Sequence, residues 1–126
     1  MTNNKIKVLI ADDEEILRRM YLTKFKNEGF EAYGACNGEE VVEMAKKIKP
    51  DIILLDIIMP LADGFSALKK IKEDNSLKNI PVILLTNLAQ DGDIQTGLKM
   101  GAADYLVKTE STPNQVVEKI RKILKK

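Results

Sequence analysis

The chain has 126 residues, enough for one domain with a single substantial core. Its 20 Lys and Arg against 19 Asp and Glu leave a net charge of +1, so neither a basic nucleic-acid surface nor an acidic disordered tail is indicated. No apolar stretch reaches the ~20 residues of a membrane span, the opening MTNNKIKVLIADDEE lacks a signal-peptide layout, and the lone Cys36 excludes an intrachain disulfide. A single cytoplasmic domain over residues 1–126, without membrane insertion, is the expectation. The absence of histidine removes imidazole catalysis and imidazole metal ligands, and one cysteine cannot build a thiolate zinc site. Any metal must therefore be held by oxygen, as Mg2+, Mn2+ or Ca2+ are.

In chain order, short apolar runs alternate with amphipathic segments. KIKVLIA (5–11) is followed by a helical stripe at Ile16, Leu17 and Met20, closed by Gly29. FEAYGA (30–35) precedes Asn37-Gly38-Glu39-Glu40, a capping-box pattern, and a helix with Val41, Ala45 and Ile48 on one face. DIILLD (51–56) leads to a helix carrying Leu68 and Ile71. PVILLT (81–86) leads to NLAQDGDIQTGLKMG, a weak helix because Gly92 and Gly97 each cost roughly 0.5–1 kcal/mol against Ala. That segment is either a poor helix or an element that rearranges. ADYLVK (103–108) comes last, before a second capping box at Thr112-Pro113-Asn114-Gln115 and a helix with Val116, Ile120, Ile123 and Leu124.

Several runs are apolar at both parities, as strands buried on two faces are. Five βα units predict an α/β fold: a flavodoxin-like, doubly wound, five-stranded parallel sheet, (βα)5, of order 2-1-3-4-5, with helices on both faces. Ligands bind such sheets beyond the carboxyl ends of the strands. Those ends carry Asp12 and Asp13, then Asp56, Thr86 and Lys108, whereas the second run ends in Ala35 and Cys36. Asp56 therefore points out of its apolar run into a crevice. A lone acid at a strand end is commonly a helix cap, and Asp12 could cap the helix near Glu14; the whole set at four strand ends is harder to explain that way. Unit charges about 4 Å apart repel by roughly 4 kcal/mol at an effective dielectric near 20. A divalent cation on Asp13 and Asp56, with Asp12 acting through water, relieves this, and Mg2+ suits so few carboxylates. A carboxylate beside Mg2+, a lysine and a hydroxyl fits phosphoryl transfer, with Asp56 as nucleophile and Lys108 and Thr86 on the phosphoryl oxygens. No GxxxxGK[ST] loop is present, so the phosphoryl group is expected from a partner rather than from bound ATP.

VLIADDEE, PDIILLDIIMPLADGF, PVILLT and GAADYLVK, in this order and spacing, resemble the receiver domain of two-component response regulators over nearly the whole chain. The resemblance implies Asp12 and Asp13 as the acidic pair, Asp56 as phosphoacceptor and the main-chain carbonyl of Ile58 as a further metal ligand. It implies Thr86 as the switch hydroxyl, Tyr105 as a switch aromatic that turns inward with it, and Lys108 as the family's lysine. Without the family, Tyr105 reads as an ordinary half-buried strand aromatic. Met59-Pro60 and Gly64 correspond to a loop shaping the metal site, and equally to a simple turn. Three departures from the family pattern stand out: Thr109 replaces the usual proline after the lysine, Asn87 stands where a smaller residue is usual, and apolar Ile58 and Leu88 flank the attacking water. Slow self-hydrolysis of the acyl phosphate is the expectation from the last two.

The implied function is a stand-alone receiver without an output domain, phosphorylated by a histidine kinase or histidine phosphotransfer protein. It would signal to a downstream protein through the fourth helix, fifth strand and fifth helix, as a monomer or phosphorylation-dependent dimer and without direct DNA binding. On this reading it would catalyse its own phosphotransfer and slow autodephosphorylation rather than conventional turnover. Alternatives are a receiver fragment of a larger regulator and an aspartyl-phosphate phosphatase. The phosphatase would want an acid at position 58, where Ile58 stands. A flavin or nucleotide module would want a phosphate loop in place of Asp12-Asp13-Glu14-Glu15. A receiver that no longer takes phosphate would not need Asp13, Asp56, Thr86 and Lys108 together.

Overall fold

All five apolar runs become strands, slightly shorter than the runs themselves, in a computed structural model that describes residues 5–57, 64–86 and 91–125. The strands are β1 (Lys7–Ala11), β2 (Glu31–Ala35), β3 (Ile52–Asp56), β4 (Val82–Thr86) and β5 (Asp104–Val107). Between and after them run α1 (Glu15–Asn27), α2 (Gly38–Ile48), α3 (Gly64–Glu73), α4 (Asp91–Lys99) and α5 (Pro113–Leu124). The sheet is parallel throughout, in the order β2-β1-β3-β4-β5 anticipated from the alternation.

The apolar residues at both parities divide between two cores. Leu9, Ile53, Leu55 and Leu84 face Val41, Ala45, Leu68 and Ile71 of α2 and α3. Ile10, Ile52, Leu54, Ile83 and Leu85 face Tyr21 and Phe25 of α1 and Val116 and Ile120 of α5. Burial on both faces is what makes these strands almost wholly apolar, and it leaves their carboxyl ends as the place for polar chemistry.

Local signals explain the helix ends. Gly29 (φ +90°) and Gly101 (φ +108°) stop α1 and α4 in the left-handed region that glycine enters freely. Thr112 and Gln115 form the full reciprocal box at α5. At α2, Asn37 Oδ1 accepts the Glu40 N–H at 2.8 Å, but the Glu40 carboxylate returns to the N–H of Cys36 at 2.7 Å rather than to that of Asn37. The first helical stripe is corrected. Leu17 packs against the second core as read, but Ile16 is 87% exposed and Met20 42%, because α1 turns Tyr21 and Phe25, not those two, toward the sheet. The weak fourth helix forms, with Ile94 buried. Gly97 is a packing requirement there: a Cβ on it would overlap Leu84 Cδ1.

Candidate functional site

The parallel register brings the strand ends level. Ala11 of β1 pairs with Leu55, Asp56 with Leu85, and Thr86 with Val107. Asp12 follows β1 directly, its N–H donating to Ala35 O at 3.0 Å, and Lys108 follows β5 directly. Oxygens of Asp12, Asp13 and Asp56 consequently lie within 4.8 Å of one another. Asp12 and Asp56 are buried and Asp13 is exposed, so the cluster has a closed floor and an open mouth.

Lys108 reaches across the floor. Its Nζ sits 2.8 Å from Asp56 Oδ2 and 2.8 Å from Asp12 Oδ2, with only 3% of its side chain exposed. Burial opposes its charge, but hydrogen bonds and Coulomb attraction from Asp12 and Asp56 outweigh that and raise its pKa above 10.5. Asp12 Oδ1 accepts the Glu14 N–H at 2.9 Å, a turn bond two residues on; α1 begins after Glu14, so Asp12 fixes the turn ahead of the helix rather than capping it. The other oxygen, Asp12 Oδ2, is buried and, beyond its ion pair with Lys108, takes no aligned hydrogen bond among the described residues.

Behind Asp56 the chain is tight. Gly64 N–H donates to Ile57 O at 2.8 Å, and a Cβ on Gly64 would run into the main chain of Asp56 and Ile57. Only glycine lets α3 begin so close to the strand end. Thr86 closes β4, 7% exposed. Tyr105 on the edge strand β5 is 37% exposed. Lys108, Thr109 and Glu110 form one 3-10 turn in which Thr109 occupies the position of the usual proline. Ile58, Met59, Pro60, Asn87 and Leu88, and the expectations attached to them, lie outside the described residues.

Two neighbours were not anticipated. Arg18 Nη1 donates to the main-chain O of Asp12 at 2.7 Å. Tyr21, 2% exposed, lies close enough to Lys108 and Asp12 to feel both; burial raises its phenol pKa, with Asp12 adding and Lys108 opposing. Arg18 is recognisable only as the residue one turn into the helix after the acidic pair. Tyr21 was hidden because Leu17 was read with Ile16 and Met20 rather than along the line of Tyr21 and Phe25.

The response regulator receiver domain family matches residues 8–121. The chain belongs to this family. It is 36% identical over 126 residues to the probable transcriptional regulator ycf27 of Porphyra purpurea, covering 100% of this chain and 50% of that protein. The response regulator PleD of Caulobacter vibrioides is 41% identical over 102 residues, 81% of this chain and 22% of its own length. Among solved structures, a putative response regulator from Chloroflexus aurantiacus superposes with a TM-score of 0.90 at 28% identity, over 98% of this chain and 100% of that one. This receiver thus spans about half the length of the ycf27 relatives it matches, and it has the flavodoxin-like receiver fold. Among the described residues no helix is long and apolar enough to cross a membrane.

The donors fit a hard divalent cation. All are oxygens, and three carboxylates converge within 4.8 Å with Asp13 open to solvent. Nothing softer than oxygen is offered by the cluster.

Proposed function

We propose that this receiver is a phosphorylation-driven switch whose Asp56 accepts a phosphoryl group from a phosphohistidine of a histidine kinase or histidine phosphotransfer protein. The observation that carries the reading is the Lys108 ammonium set 2.8 Å from both Asp56 and Asp12 at the end of β3. It offers a fixed positive charge where a phosphoryl oxygen would arrive, in a site dry enough for that charge to count. An Asp56 oxygen attacks phosphorus, the P–N bond breaks, and its electron pair returns to the partner's imidazole. Lys108 and the Thr86 hydroxyl then hold oxygens of the new acyl phosphate.

Asp13 and Asp56 would hold Mg2+ (or Mn2+) directly, with the carbonyl of Ile58 as a third ligand. Asp12, committed to Lys108 and the Glu14 N–H, would act through water. The ion supplies charge neutralisation at the phosphoryl oxygens. The apolar Ile16 and Met20, exposed on α1 beside Asp13, give a partner a foothold near the cleft. Withdrawal of Thr86 toward the phosphoryl group would vacate space for the exposed Tyr105 to turn in, changing the surface of α4, β5 and α5. Because the relatives are longer, a receiver serving as one part of a larger regulator is the second reading.

Intact-mass spectrometry after incubation with acetyl phosphate tests the acceptor. A gain of one phosphoryl group with Mg2+, absent with EDTA and absent in Asp56→Asn, is the expected result. Labelling that persists in Asp56→Asn would overturn the assignment.

A further inference from the structure

Asp12 and Asp13 enter the site on one short turn, yet they are held differently. The Asp12 carboxylate is fixed by the Glu14 N–H and by Lys108. Asp13 is exposed, and its carboxylate makes no hydrogen bond or ion pair with the described residues. Its direction therefore depends on the peptide that joins it to Asp12, and the orientation of that peptide is reported by the Asp12 carbonyl. The carbonyl is taken by Arg18 Nη1 at 2.7 Å, a charge-assisted bond of the stronger class.

Arg18 is itself seated on a gap in the sheet. Its Cδ lies 3.1 Å, and its Cγ 3.3 Å, from where a Cβ on Gly34 of β2 would stand. The backbone of Gly34 does not need glycine, since its φ is not in the left-handed region. The missing side chain is there to be filled, and the Arg18 stem fills it together with Leu22. Deep seating of the stem brings the guanidinium back over the β1–α1 turn.

We propose that Arg18, seated on Gly34, is a positioning residue for the divalent cation. By fixing the Asp12–Asp13 peptide it aims the Asp13 carboxylate at the cation. The inference rests on the reading that these acids hold a metal. Arg18 also brings a positive charge near the cation, which on its own would weaken binding, so a charge-removing variant cannot isolate the positioning effect. Gly34→Val leaves every charge in place and pushes the Arg18 stem outward, together with the Leu22 methyl beside it. Arg18→Lys keeps the charge and loses the planar fork.

The test is Mg2+ titration by isothermal calorimetry of wild type, Arg18→Lys, Gly34→Val, Arg18→Met and the Arg18→Met/Gly34→Val double variant, each with its metal-free thermal midpoint. Gly34→Val and Arg18→Lys are expected to raise the Mg2+ Kd about three- to tenfold, the loss of roughly one useful hydrogen bond. In the Arg18→Met background, Gly34→Val still crowds the stem but should change Kd by less than about twofold, because no guanidinium is left to be moved off the Asp12 carbonyl. A merely structural role would lower the midpoints without this dependence on Arg18. Unchanged Kd in both charge-preserving variants overturns the proposal, as does an equal Gly34→Val effect with and without Arg18. If Gly34→Val does not fold, Arg18→Lys decides. Absence of Mg2+ binding by the wild type overturns the metal reading and this inference together.

Discussion

Replacing Lys108 by methionine should destabilise the protein strongly, and the site's geometry sets the scale. Methionine retains most of the lysine stem and removes only the ammonium, which lies 2.8 Å from two carboxylate oxygens. With it gone, carboxylates whose oxygens lie within 4.8 Å face one another without a counter-charge. Each such contact costs about 3.5 kcal/mol at an effective dielectric near 20, within the ~3–5 kcal/mol seen when one member of a buried ion pair is deleted. Against a total stability of about 5–15 kcal/mol the loss would show plainly in a urea titration. The pH dependence carries a sign. Lys108 has its pKa raised above 10.5, because Asp12 and Asp56 outweigh its burial. Its contribution is fully present below the unfolded value of 10.5 and disappears as pH climbs through the higher folded value. The gap between wild type and variant should therefore hold from neutral pH to about 10 and narrow above it. Mg2+ should narrow it too, because the acids without their ammonium bind the cation more tightly, and each tenfold drop in Kd closes about 1.4 kcal/mol of the gap at saturating metal. A Lys108→Met protein within about 1 kcal/mol of wild type at pH 7 without metal would refute the reasoning, since that is the size of an exposed pair.

Three further outcomes follow from backbone and packing. Gly64→Ala puts a methyl group into the main chain of Asp56 and Ile57; a loss of about 2 kcal/mol or more by chemical denaturation is expected, with weaker acetyl phosphate labelling because the strand end must shift. Gly97→Ala sets two rules against each other: helix propensity favours alanine by about 1 kcal/mol, but overlap with the buried Leu84 should cost more. A lower thermal midpoint is expected, and a higher one would mean that α4 packs less closely than described. Lys49 ends α2 at φ 53°, in the left-handed region; Lys49→Gly should stabilise by about 0.5–1 kcal/mol in the same assay.

How much of this was legible in the sequence depended on whether a property is written in residue type or in relative position. The sheet was legible because a strand buried on both faces must be apolar at both parities, and Ile52 to Leu55 are all buried. The site followed from it, because parallel strands end on one side and the residues after them were the only concentration of charge there. What stayed hidden was direction. The stripe Ile16, Leu17, Met20 has the right period for a core face, yet the core takes Leu17 with Tyr21 and Phe25, one step around the helix from Ile16 and Met20. Periodicity defines a face and leaves open which of two adjacent faces the preceding turn will present. That turn is held by contacts with no sequence signature: the Asp12 N–H on Ala35, Asp12 Oδ1 on the Glu14 N–H, and Arg18 on the Asp12 carbonyl. The packing role of Gly97 stayed hidden for a related reason. As a residue type it argues against a helix, and its value lies in what it lets approach, Leu84 of β4. The glycines whose packing role went unread are those that let another group come close: Gly34 for Arg18, Gly64, read as part of a loop or turn, for the end of β3, and Gly97, read for its helix cost, for β4. All three sit where a helix meets a strand, and two of them, Gly34 and Gly64, border the turns that carry the acids. The acids could be read from the sequence because their charge has to be explained. The glycines could not, because what matters at them is an absent side chain, and its purpose appears only beside the neighbour that fills the space.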